Sequence, residues 1–278
     1  MKRKLGIPSG CVRGYTEAGA IRLIREAGFD CVFTGYISVK EVGAIKNECE
    51  KQGIELEFLH APFRVTGNGG STVYCNEFWR SDLTYLSLYN DIIECIDTAG
   101  EVGVDTVMMH VSGGWYAPPI TEKGLSRFDA VVEHALRRGV RLGFENTRNI
   151  GNLAAIMERY ENLPEVGFCY DCGHEHCYTE NVRFLDLFGR RTFCTHIHDN
   201  LGKDKTDPLL DADYHWLPFE GDIDYREMID LMDRYDYRGS LMLEVYQYGR
   251  FAELRAEEFL AICYERIKRI GDLSKAAE

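Results

Sequence analysis

The sequence holds no apolar stretch long enough to cross a bilayer, and nothing that reads as a secretory leader. Met1-Lys2-Arg3-Lys4 runs straight into a short strand-like segment. Positive charge is scarce: 32 Lys and Arg stand against 45 Asp and Glu, for a formal net charge of −13. That balance argues against a broad surface for phosphate backbones, so nucleic acid is not an expected partner. A disulfide scaffold is missing as well. The ten cysteines follow no small-domain spacing and read as reduced thiols, which suits a cytoplasmic protein without membrane attachment. No linker or change of composition splits the chain, so one domain over residues 1–278 is expected. Its apolar content of 45% is enough for a sizeable core.

What the chain has is a rhythm. Strand-like runs are expected over 4–8, 30–34, 54–60, 105–110, 141–146, 166–171, 192–198 and 240–246. Between and after them, helix-like segments fall at 16–27, 38–52, 77–102, 122–138, 152–160, 183–188, 225–235 and 250–270, with Gly28 and Gly53 as stops. A loop rich in Gly, Asn and Thr follows His60, and a long polar one spans 199–224. Eight strand–helix alternations predict an α/β fold, a single (β/α)8 TIM barrel.

The strand ends are chemically alike. His60, His110, Glu145, Asp171 and Glu244 close their runs, and His196 lies near the end of its own. Alternate residues of a strand share a face. His60 therefore goes with Phe58 and Leu56, His110 with Met108, His196 with Cys194, and Glu244 with Met242. Each of the six becomes the last inward side chain of its strand. A single strand-end histidine is usually structural, but six such groups in parallel positions are hard to explain by packing, because unpaired buried charge is costly. Together they point to a divalent metal ion, and a mixed carboxylate–imidazole set suits Zn, Mn, Co or Fe, where oxygen ligands alone would suggest Mg or Ca. Cys169 and Cys172 form a C-x-x-C pair, with His174, His176 and Cys177 downstream. Cys169 is expected one layer below Asp171 inside the barrel, which argues against a structural zinc there.

The ordered set of motifs resembles the xylose isomerase-like TIM-barrel superfamily, which contains sugar-phosphate isomerases and epimerases and also endonuclease IV. The motifs are Leu59-His60-Ala61-Pro62, Met109-His110-Val111-Ser112-Gly113, Phe144-Glu145-Asn146-Thr147, Tyr170-Asp171-Cys172-Gly173-His174, Thr195-His196-Ile197-His198-Asp199-Asn200, Asp213-Tyr214-His215, Phe219-Glu220-Gly221-Asp222 and Leu243-Glu244. They span nearly the whole chain. The resemblance implies a central ion held by Glu145, Asp171, His196 and Glu244. It also implies further ions, up to three in all, with His60 and His110 joining Glu145 on one and His174, Asp213 and His215 holding another. The flanking loops look like the sugar branch. The implied reaction is isomerisation or epimerisation of a sugar, sugar phosphate or related polyol, with Glu145 and Glu244 moving protons at the carbon next to a carbonyl. Its implied partner is a small sugar substrate; barrels of this group often pair as homo-oligomers, but the sequence does not give the oligomeric state. The rivals are an endonuclease IV-like phosphodiesterase and a non-catalytic binding barrel.

Several side chains carry looser expectations. His198 either contacts substrate or caps its loop, and His176 reads as exposed. Trp79, Trp115, Tyr116 and Trp216 lie where they would wall a pocket, with Trp115 expected at the substrate. Lys203, Lys205 and Arg250 are the cations best placed for a substrate phosphate, and His134 reads as structural.

Overall fold

Eight parallel strands wind side by side in the computed structural model, which describes residues 3–67, 70–179 and 182–274. In chain order they are Leu5–Pro8, Cys31–Gly35, Glu55–His60, Thr106–His110, Arg141–Glu145, Val166–Asp171, Thr192–His196 and Leu241–Met242. Each pairs with its sequence neighbours, and the first also pairs with the eighth through Leu5–Leu241 and Gly6–Met242. The seventh meets the eighth at one bridge, Ile197–Leu243, flanked by hydrogen bonds from Ile197 N to Met242 O (2.8 Å) and from Glu244 N to Ile197 O (3.0 Å). The result is a nearly closed (β/α)8 barrel with a thin seam.

Local chemistry sets the helices. Thr16, Ser38, Thr121 and Asn149 each accept the backbone N–H three residues on, which satisfies an otherwise unpaired donor at a helix start. Gly53, Gly103 and Gly139 end their helices in the left-handed conformation that glycine adopts without a Cβ clash. The larger core lies between strands and helices. A second, smaller cluster of Cys31, Phe33, Phe58, Met108, Cys169, Cys194 and Met242 fills the barrel itself. Among the described residues, no helix is long and apolar enough to cross a membrane.

Expected side-chain parity holds for Phe58, Met108, Cys194 and Met242, which point inward, but not for Leu56. Val32 pairs with Leu56 while Phe33 pairs with Phe58, so Glu57 is an extra residue in the third strand and Leu56 turns to the outer core. Three other expectations change. The helix expected over 77–102 is a 3-10 turn, Cys75–Trp79, and a helix, Leu86–Val102. The Arg127 guanidinium, from the next helix, takes the carbonyls of Glu77, Phe78, Arg80 and Asp82, which competes with a continuous α-helix through that stretch. The last helix starts at Ala256 rather than 250, because the Gln247 amide binds the Phe251 and Leu254 carbonyls. The loop after His60 contains a hairpin, Arg64–Thr66 with Thr72–Tyr74, and its Asn68 and Gly69, like Met1 and Lys2, lie outside the described residues.

Candidate metal centre

Five of the barrel strands finish on His60, His110, Glu145, Asp171 and His196, and Glu244 follows the eighth strand by two residues. Parallel strands put all six at the carboxyl-end mouth. Around His196 Nδ1 lie Glu145 Oε1 at 3.0 Å, Glu244 Oε2 at 3.3 Å and Asp171 Oδ2 at 3.8 Å. A second group forms where Glu145 Oε2 stands 2.8 Å from His110 Nε2 and 3.8 Å from His60 Nε2. His174, His198, Asp213 and His215 make a third. In every group the donor atoms lie within 4.8 Å of one another.

The surroundings hold these donors in place. The Asn146 amide donates to Asp171 O and accepts from Asp171 N, both at 2.8 Å, and so locks the ends of the fifth and sixth strands together. After Asp171 the chain turns at once into a short helix, Cys172–His174. Asp171 Oδ1 caps it by accepting from His174 N at 2.6 Å. Only glycine fits at 173, since a Cβ there would lie 1.9 Å from the His198 ring. Asp213 and His215 come from the long loop after the seventh strand. Asp199 pins that loop by accepting the backbone N–H groups of Asn200, Phe219 and Ile223. His215 and Phe219 sit at φ 47° and 70°, unusual for residues with a side chain, as occurs where a loop is bent to serve a site.

Electrostatics ask for positive charge here. Glu145, Asp171 and His196 are at most 1% exposed. Burial would raise the Glu145 carboxyl, but the His110 and His196 imidazoles outweigh it and hold the group well below the carboxylate range. Burial likewise opposes a charged His196, yet the Glu244 and Glu145 carboxylates push it up to about 10. His215 is pushed up to about 10 in the same way, led by Glu244. His60, further from the acids, is lowered by burial and by His110 to about 3. Buried Asp213 Oδ1 has no hydrogen-bond partner, a costly condition unless a cation faces it. Donors about 2.1 Å from a tetrahedral ion stand about 3.4 Å apart, and the 3.0–3.8 Å spacing around His196 suits that arrangement. The donor set therefore fits a divalent ion.

Two cavities flank the donors. One, of about 500 Å³, is lined by His110, His174 and Asp213 together with Phe63, Asn76 and Arg148. The other, of about 410 Å³, opens beside His215. His198 is fully buried, 3.2 Å from the Asp171 carboxylate and stacked on His215, so it joins the donors rather than capping a surface loop. Trp115 stands edge-on to Tyr178 and donates its indole N–H to Leu209 O, which braces the loop carrying Asp213. Trp79 is a core residue bonded to Val111 O and walls no pocket, and Tyr116 is exposed. Trp216 and Arg250 line the cavity beside His215. Lys203 lies over the Trp115 ring and Lys205 is exposed. His176 pairs with Asp222, and His134 with Asp97 across two helices. Cys169 is inside the barrel while the Cys172 thiol bonds His198 O, so the C-x-x-C pair does not converge. Sequence reading missed Arg148, held by Tyr178 and Asp211, and gave Asn146 no task although it sits beside Glu145 in a quoted motif.

A protein-family model described as xylose isomerase-like TIM barrel matches residues 21–265. The uncharacterized protein y4fM of Sinorhizobium fredii is 26% identical over 299 residues, covering 91% of this chain and 93% of its own. Among solved structures, the IOLI protein with a binding zinc atom superposes with a TM-score of 0.77 at 15% identity, over 97% of this chain and 98% of that one. D-allulose 3-epimerase from Methylomonas sp., in complex with D-allulose, does so with a TM-score of 0.70 at 14% identity, again over 97% and 98%. At such identities the structural likeness speaks for the fold.

Proposed function

Because the chain belongs to the xylose isomerase-like TIM-barrel family, we propose that it is a divalent-metal-dependent isomerase or epimerase of a sugar, sugar phosphate or related polyol. One observation carries the reading: Glu145 and Glu244, from strands separated by two others, both approach His196 Nδ1, at 3.0 and 3.3 Å. An ion held by Glu145, Asp171, His196 and Glu244, of the zinc, manganese or cobalt kind, supplies positive charge to adjacent substrate oxygens and to the charge that builds beside the carbonyl. The protein does the rest. Glu145 and Glu244 flank the substrate carbon from two sides, one carboxylate removing its proton and the other returning one. His60 and His110 bind hydroxyls in the mouth, and the ring of Phe63, stacked on His110 at 4.8 Å, shields them from bulk water. Asp171 orients His174 and His198 and keeps their rings turned to the substrate side.

The test is exchange of solvent deuterium into the carbon next to the carbonyl, run on a panel of ketoses and aldoses with zinc, manganese or cobalt added. Exchange is expected in the wild type. It should fall about 10²-fold or more in Glu145→Gln and Glu244→Gln, which keep size and an oxygen ligand but lose the base. Wild-type exchange in both variants would leave these glutamates as ligands only.

A second reading has its own observation: the two further donor groups, one sharing Glu145 and one around Asp213, give room for several ions side by side. Clustered ions favour phosphodiester hydrolysis. Chelator-sensitive incision of abasic duplex DNA at physiological salt would replace the sugar reading with this one. Its absence, with sugar exchange present, is the expected result.

A further inference from the structure

The cavity beside His215 is unlike the mouth next to it. Its walls are aromatic: Trp216, Tyr246, Tyr248 and Phe251, from the loops that follow the seventh and eighth strands. Tyr246 and Tyr248 keep 38% and 47% of their surface in solvent, and Trp216 is backed by Tyr214, stacked at 4.9 Å. Rings left wet around a concave surface are more often recognition elements than packing. The position is fixed as well. The Tyr248 hydroxyl bonds the backbone carbonyls of Tyr214 and His215, tying the two loops together beside the donor group. At the rim, the Arg250 guanidinium pairs with the Glu220 carboxylate. Arg250 is two-thirds exposed while Glu220 is mostly covered. The covered carboxylate therefore holds the Arg250 guanidinium in place, and its N–H donors face outward over an aromatic wall. The volume, about 410 Å³, falls within the range of small-molecule sites.

From this geometry we infer that the cavity is a second subsite, which holds a further ring of the substrate while the carbonyl-bearing part reaches the donors across His215. The inference rests on the sugar-converting reading of the mouth and narrows it: the substrate class is a glycoside rather than a free monosaccharide. A pyranose ring has an apolar C–H face that lies on an aromatic ring and a polar edge of hydroxyls. The aromatic wall meets the first, and the Arg250 guanidinium, held by Glu220, meets the second. An aromatic aglycone offers the same flat apolar face without the hydroxyl edge, so Arg250 separates the two sources.

The experiment is calorimetric binding to the full chain loaded with zinc, using glucose, cellobiose, maltose and phenyl β-D-glucoside as probes. At least one two-ring probe is expected to bind about 2- to 10-fold more tightly than glucose, the range that aromatic stacking supplies. Arg250→Ala, at an exposed position, should abolish the advantage of the disaccharides over glucose. A preference confined to the phenyl glucoside and untouched by Arg250→Ala, but lost in Tyr246→Ala, assigns the subsite to an aromatic ring and keeps the inference. If the two-ring probes bind no better than glucose, or if their advantage survives both substitutions, the inference is overturned. Binding is read without turnover. Solvent-deuterium exchange on monosaccharides with no two-ring preference would sink this subsite alone. A two-ring preference with no exchange on glucose, cellobiose or maltose, whose reducing ends open to a carbonyl, would sink the isomerase reading alone.

Discussion

Asp171 does three things at once: it belongs to the donor group around His196, it caps the helix that carries His174, and it meets the His198 ring. Replacing it with Ala should therefore cost more than one ligand. Metal affinity is expected to fall by more than the ten- to hundredfold that outer partners of a metal site are worth. Elemental analysis after dialysis checks this, and Asp171→Asn, which keeps an acceptor for the cap, separates the lost charge from the lost cap. If Asp171→Ala retains metal as tightly as the wild type, the donor assignment fails. At this scale the sequence was most readable. His60, His110, Glu145, Asp171 and His196 end their strands and Glu244 follows its own by two residues, and strand geometry converts that into convergence at one mouth. Asn146 and Arg148 were not readable in the same way. Their partners, the Asp171 backbone and the Tyr178–Asp211 pair, lie far along the chain and leave no local periodicity.

Among the elements, the third strand shows where pattern reading stops. Alternation placed Leu56 inside, yet the extra residue at Glu57 breaks the count, and nothing in Glu55-Leu56-Glu57-Phe58 marks it. Glu57 is largely buried beside Cys31 and Ser240, and one of its carboxylate oxygens is buried without a partner. Burial raises its carboxyl, and hydrogen bonds from Cys31 and Ser240 only partly offset this, so the native pKa lies above the usual value. The native state then holds a proton that the unfolded chain has already released. Stability from this group is present at low pH and is lost as pH rises from about 4.5 through the raised native pKa. Glu57→Gln, which does not titrate, should gain stability relative to wild type across that window and gain least at its acid end. Urea unfolding of both proteins at several pH values measures the difference, and a gain that does not change with pH would contradict the raised pKa. The expected helix over 77–102 fails for a related reason, since Arg127 interrupts it from another helix and its reach is a tertiary fact.

The whole molecule couples its fold to its mouth. Eight alternations were enough to read the barrel, because each strand–helix unit repeats the same local signals. The thinness of its seam was not legible, because it depends on how little of the 240–246 run pairs. Buried carboxylates gathered at one end disfavour the folded state until a cation faces them. An ion bound only by the native chain stabilises it by about 2.7 kcal/mol at a hundredfold excess over its Kd. Chelation should lower the thermal midpoint, and zinc or manganese should restore it in proportion to the logarithm of added ion. A midpoint indifferent to both would mean that the donor groups hold no ion.

The seam gives that coupling a direction. Only Ile197 and Leu243 bridge the seventh strand to the eighth, and the residues next to them, His196 and Glu244, belong to the same donor group. In mechanical terms an ion there is a rivet across the one joint of the barrel that the backbone leaves nearly open. The amides of Ile197 and Glu244, which supply the seam's backbone-to-backbone hydrogen bonds, should then exchange with deuterium faster in chelator than in zinc, while those of the fourth and fifth strands change little. The breathing of the barrel, and with it the width of the mouth, would be set by occupancy of the centre rather than by the sheet.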